Sequence, residues 1–247
     1  MSRLWVSIFT LVIYGLAQVG PIILKAAGVF NSFSNKSQAY AIIFSQVILF
    51  ILAAIIITFL HNKISNPTKL ELQTKKRKRY IVLWAIGGFF IVMIYQIFAG
   101  MINIYVLGAP NQSPNTERIM AIARKVPLFI ILISVVGPIL EEYVFRKVIF
   151  GELYNVIKGN KTIKFIIAGV VSATLFALAH SDPAFFIIYF GMGLIFAGFY
   201  VYTKRIWVPI LIHVFQNGLV VIIQVLVGPE KIKEMQNATS FIIHFIN

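Results

Sequence analysis

Three short stretches hold most of the reactive side chains in a sequence otherwise poor in them: "EEYVFR" at 141–146, "FALAH" at 176–180 and "HVFQN" at 213–217. The chain has only eight acids, and two of them, Glu141 and Glu142, stand side by side among apolar neighbours. On a helix, Glu142 and Arg146 share a face at i, i+4 in the favoured order for an ion pair, whereas Glu141 points about 100° away. Glu141 is left without a local partner, which suits a general base. Glu142 with Arg146 reads as scaffold. Carboxylates inside an apolar span cost at least ~2.5 kcal/mol each and mark function by default, although joining helices through polar contacts is a competing role. Just upstream, Pro138 cannot donate to the carbonyl of Ser134 and weakens the helix there.

His180 closes an apolar stretch, with Phe176 one turn earlier on the same face, and "SDP" at 181–183 reads as a cap and first turn of the next helix. His213 and Asn217 fall at i, i+4 on one face, with Gln216 beside them. Taken singly, a histidine at a span end is an interface residue, and a His–Asn pair is an interhelical hydrogen bond. Taken together, two imidazoles, a free carboxylate and an amide are a set that activates water against a carbonyl: base, proton carrier and oxyanion donors. His180, His213 and Glu141 would also be an acceptable zinc ligand set, dispersed over three helices. The sequence has no HExxH, no glycine-flanked nucleophilic serine, no phosphate-cradling glycine loop and no cysteine.

The elements that must position these groups are apolar. The chain of 247 residues is 59% hydrophobic and 12% charged, which no ordinary soluble domain shows. The expected fold is all-α, a polytopic transmembrane helical bundle of about seven spans: 4–24, 38–60, 80–107, 127–152, 163–180, 184–203 and 206–228. The first is read as a retained span, since it is too long for a signal-peptide core. "GVFNSF" and "GMGLIFAG" read as helix packing through small residues, and "GAPNQSPNTE" at 108–117 as a turn-rich outer loop. The tail 229–247 is expected on the membrane surface.

The net charge of +14 is read as cytoplasmic loops and anionic lipid rather than nucleic acid. The basic stretch "TKKRKRY" at 74–80 puts the loop between the second and third spans, and with it the N-terminus, in the cytoplasm. On that register His213 lies about 10 Å inside the cytoplasmic edge of its span, whereas His180 sits near the outer end of its own. For the two to share a site, the fifth span must begin inside the cytoplasm or the hairpin at 181–184 must dip below the outer surface. The cavity is expected to open to the cytoplasm.

In order and on separate spans, the three stretches match EExxxR, FxxxH and HxxxN. The chain thereby resembles the CPBP family of CAAX prenyl endopeptidases and bacteriocin-processing (Abi) intramembrane proteases, over about residues 127–228. The resemblance implies that Glu141 activates the water and that His180 assists it or binds the oxyanion. It implies that His213 and Asn217 stabilise the tetrahedral intermediate, and that Glu142, Arg146 and Phe176 support the site. Whether zinc or no metal is involved stays open.

The resulting expectation is a protease of the bacterial plasma membrane. It would cut a membrane-associated peptide or leader, in maturation of a secreted peptide signal or bacteriocin, with membrane lipid as its other partner. The catalytic core is 127–228, preceded by helices and a basic loop over 1–126. The rival classes are a nonenzymatic immunity or scaffold protein, for which Glu141→Gln would be silent, and a proton-linked transporter, which would give flux without peptide products.

Overall fold

The computed structural model describes residues 1–228 together with Lys231 and Glu234. Apart from these two residues, the tail expected on the membrane surface, 229–247, lies outside the described residues. Among the described residues, six helices are long and apolar enough to cross a membrane. We label α1 Arg3–Ala26, α2 Asn35–Asn62 and α3 Ile81–Met101, the last continued by a π-helical stretch, Ile102–Val106. Then come α4 Pro114–Lys125, the broken helix α5 over 129–156, α6 Lys161–Ala179, α7 Phe186–Thr203 and α8 Trp207–Leu226. No strand occurs among the described residues. Large apolar side chains such as Leu4, Ile22, Phe59, Leu83 and Leu226 point outward, as lipid-facing helices require.

Local chemistry explains the ends. Ser34 accepts from Ser37 N to cap α2, and Asn160 accepts from Ile163 N to cap α6. Lys204 ends α7 in a left-handed conformation (φ 58°). Glycine lets helices approach where "GMGLIFAG" was read as a packing face: a Cβ on Gly191 would meet the Tyr95 ring, and one on Gly193 would lie 3.0 Å from Ala173. "GVFNSF" proves different. It is the turn between α1 and α2, with Gly28 at φ 76°, a conformation that glycine adopts freely.

The expected fourth span is α5, and it is not a regular α-helix. Short α segments alternate with π stretches at Leu132–Val136 and Glu142–Phe150. Such wide turns mark functional segments. Pro138 follows the first π stretch at the start of the α segment Gly137–Glu141. It has no N–H to return to the carbonyls one turn earlier, and one of these, Ile133 O, accepts from Asn217 Nδ2 at 3.0 Å.

The outer loop also contains more order than turn residues suggest. From Pro114 it becomes α4, capped by Ser113, whose Oγ accepts from Thr116 N at 3.1 Å, with Pro114 in the first turn. Met120 and Ala123 are buried, while Glu117, Arg118, Ala121, Arg124 and Lys125 are exposed. The helix is therefore amphipathic and too short to span.

Candidate active site

Glu141 and Glu142 sit at the junction between the α segment and the second π stretch of α5. Glu142 is fully buried, and its Oε2 lies 3.1 Å from Arg146 Nε, the i, i+4 ion pair expected from the sequence. The contact is close but off the hydrogen-bond axis, and the other guanidinium nitrogens have no hydrogen-bond acceptor among the described residues. The cation instead lies over the Phe176 ring, 4.1 Å from its centroid, with Phe196 at 4.9 Å. A desolvated charge so placed depends on Glu142 for neutralisation.

Glu142 has a second partner that the sequence did not disclose. His213 Nδ1 is 3.0 Å from Glu142 Oε1. A carboxylate can only accept, so this nitrogen carries the proton and Nε2 is turned toward Glu141. Glu141 Oε2 lies 3.8 Å from Nε2, too far for a direct hydrogen bond. Phe196 stacks on the His213 ring at 5.0 Å, and Phe176 meets it edge-on at 5.8 Å.

His180 follows the end of α6 and turns back along it. Its Nδ1 is 2.7 Å from Phe176 O, which again assigns the proton to Nδ1 and leaves Nε2 free for chemistry. One face of the imidazole stacks on Tyr189 with centroids 4.0 Å apart, and Phe176 packs against it at 4.6 Å. Phe176 thus touches Arg146, His180 and His213 with one ring. The next residue, Ser181, is left-handed (φ 52°), which tightens the hairpin.

The hairpin at 181–184 is tied to its neighbours through Asp182 and Ala184, while the side chains of Ser181, Pro183 and Ala184 are exposed. Asn103, from the π-helical end of α3, donates to Ala184 O at 2.7 Å. Ser113 Oγ donates to the buried Asp182 at 2.5 Å, with the Tyr189 hydroxyl at 3.4 Å. Asp182 therefore binds the cap of α4 rather than capping its own helix.

Glu141, His180, His213 and Asn217 all line one cavity of about 630 Å³. Tyr14 of α1, Gln46 of α2 and Ile119 of α4 contribute other walls. The lining comes from the later halves of α1, α3 and α8, the early halves of α2, α5 and α7, and the end of α6, all at the end of the bundle away from the basic loop. Toward the basic end the floor is closed by Arg146, Phe150, Phe176 and Phe196, each fully buried.

The candidate metal ligands do not converge. Among the described residues no three His, Asp or Glu side chains lie close enough to hold a metal ion, although Nδ1 donating to a carboxylate or carbonyl leaves Nε2 of each site histidine open as a ligand. Phe196, Tyr189, Ser113 and the Glu142–His213 bond were missed by sequence reasoning. Only Ser113 had a local signal, since serine followed by proline is a helix start.

A polytopic helical bundle with a glutamate, two histidines and an amide around one cavity has the groups that a membrane-embedded hydrolase requires. The comparisons agree. The family description "Type II CAAX prenyl endopeptidase Rce1-like" matches residues 123–219. The chain is 50% identical over 244 residues to "Membrane-embedded CAAX protease MroQ" of Staphylococcus aureus (strain USA300), covering 99% of this chain and 98% of the relative. It is 39% identical over 204 residues to "Putative membrane peptidase YdiL" of Bacillus subtilis (strain 168), covering 83% and 81%. No solved structure matches. The chain belongs to the Rce1-like CAAX endopeptidase (CPBP) family, and it is an integral membrane peptidase.

Proposed function

We propose that this chain hydrolyses a peptide bond in a membrane-associated peptide or leader by glutamate-activated water, with its N-terminus in the cytoplasm. The observation that carries the mechanism is the facing of Glu141 Oε2 and His213 Nε2 across 3.8 Å at the cavity wall, with Glu142 holding the opposite ring nitrogen. A water between them donates one O–H to Glu141, which takes the proton as the oxygen attacks the scissile carbonyl carbon. The donors available to the tetrahedral oxygen are the second amide hydrogen of Asn217 and, when a ring has taken a second proton from solvent and is imidazolium, Nε2–H of His213 or His180. When the C–N bond breaks, the proton held by Glu141 passes to the departing amine. Glu142 and Arg146 set the orientation of His213, and Phe176 packs the two histidines and the guanidinium into one unit.

The substrate proposal is a peptide with an amphipathic segment, such as the leader of a secreted peptide signal or bacteriocin. A cavity with apolar walls and a polar end supports this reading, since it takes side chains from lipid and holds backbone at the catalytic wall.

The test is cleavage of amphipathic leader peptides by purified protein in lipid, comparing wild type with Glu141→Gln, with and without a chelator. Product from wild type alone, insensitive to chelator, is the expected result. Equal product from both proteins would remove Glu141 from the chemistry. Product lost on chelation would reinstate a metal.

A further inference from the structure

The two ends of the bundle differ sharply in charge. Among residues 1–228, one end carries Arg3, the seven cations of 63–79, four between 147 and 164, and Lys204 with Arg205, fourteen in all. The other end carries five, Lys25, Lys36, Arg118, Arg124 and Lys125, and Arg146 is buried between the two. The basic end is also the tightly tied end. The N-terminal amine donates to Lys63 O at 2.8 Å, Arg3 pairs with Glu152 at 3.0 Å, and Lys147 pairs with Glu71 at 3.3 Å. Short loops with this excess of Lys and Arg stay in the cytoplasm.

The cavity belongs to the opposite end. Its catalytic wall is separated from the basic end by the closed layer of Arg146, Phe150, Phe176 and Phe196. Its rim is α4 with the cap before it: Ser113, Thr116, Arg118 and Ile122 all border the cavity. Helix α4 turns Met120 and Ala123 into the protein core and Arg118, Arg124 and Lys125 outward, the pattern of a helix docked across the end of the bundle. Its cap is fastened by Ser113 to Asp182 and Tyr189, and Tyr189 stacks on His180, so the rim is joined directly to a catalytic side chain.

We infer that the site opens to the outer side of the membrane, with α4 as the cover past which the substrate enters. The substrates are then peptides whose scissile bond reaches the outer leaflet, either exported or already inserted, rather than cytoplasmic chain termini. This rests on the peptidase reading above but concerns the side from which the site is reached.

Because the chain has no cysteine, single-cysteine variants report the side without background. Arg118→Cys lies at the exposed rim of the cavity and Lys75→Cys on the exposed basic loop. Each is treated with a bulky membrane-impermeant maleimide in intact cells and after permeabilisation. Arg118→Cys is expected to label in intact cells and Lys75→Cys only after permeabilisation; the reverse pattern overturns the inferred side. Hydrolysis is then read in right-side-out vesicles with an amphipathic leader peptide supplied outside. Labelling Arg118→Cys is expected to lower the rate at least tenfold, and labelling Lys75→Cys in opened vesicles to leave it unchanged. Outside labelling of Arg118→Cys with undiminished hydrolysis overturns the role of α4. If unlabelled wild type makes no product from either side, the peptidase reading fails, while the labelling pattern still decides the side.

Discussion

His213 Nδ1 rests 3.0 Å from Glu142 Oε1, and this bond aims the other ring nitrogen at Glu141. Two adjacent glutamates thereby occupy different environments: Glu142 is sealed between His213 and Arg146, whereas the Glu141 side chain is 23% exposed to the cavity. The difference allows one to be exchanged without harm to the fold and the other not.

Glu141→Gln is expected to leave the thermal unfolding midpoint unchanged and to abolish peptide hydrolysis. Loss of a general base lowers rates by about 10²–10⁴. Glu142→Gln removes one partner of a buried pair and strands Arg146, a loss of about 3–5 kcal/mol. Unfolding in detergent, followed beside peptide cleavage, separates the two; a Glu142→Gln protein as stable as wild type would contradict the buried pairing.

Arg146 can be tested through compensation. Removing both charges of a buried ion pair costs less than removing one, because no uncompensated charge is left desolvated. Glu142→Gln combined with Arg146→Met is therefore expected to recover at least half of the stability lost in Glu142→Gln alone. Activity should stay low, since His213 no longer has its carboxylate. A double-mutant cycle on unfolding free energy supplies the measurement.

Phe176 is expected to be the most sensitive aromatic position. Phe176→Ala opens a cavity under Arg146, His180 and His213, at about 3–5 kcal/mol. Phe176→Leu fills most of the volume but removes the face under the guanidinium, so it should recover stability more than activity. Comparing kcat with the unfolding midpoint for the two variants checks this.

Asn217→Ala should lose about 0.5–1.5 kcal/mol for the bond to Ile133 O. Pro138→Ala restores an N–H near the same turn. The stability loss from Asn217→Ala should therefore shrink in a Pro138→Ala background, whereas any loss in kcat should not. Equal stability losses in both backgrounds would show that Pro138 does not expose that carbonyl.

The sequence by itself determined what depends on neighbours along the chain. Apolar length sets the spans, and i, i+4 spacing brings Glu142 to Arg146. The signal for α4 was also present, in Ser113 before Pro114 with Arg124 and Lys125 at the end, but the turn-forming residues around it obscured it. Only the tertiary structure decided that Glu142 also holds His213, 71 positions away, that Phe196 stacks on the same imidazole, and that the cavity lies at the end away from the basic loop. The physical reason is that periodicity defines the face of a helix but neither its rotation nor its axial offset against another helix. Those are set by packing among distant residues, and in α5 the π stretches shift the register further in a way that no local spacing records.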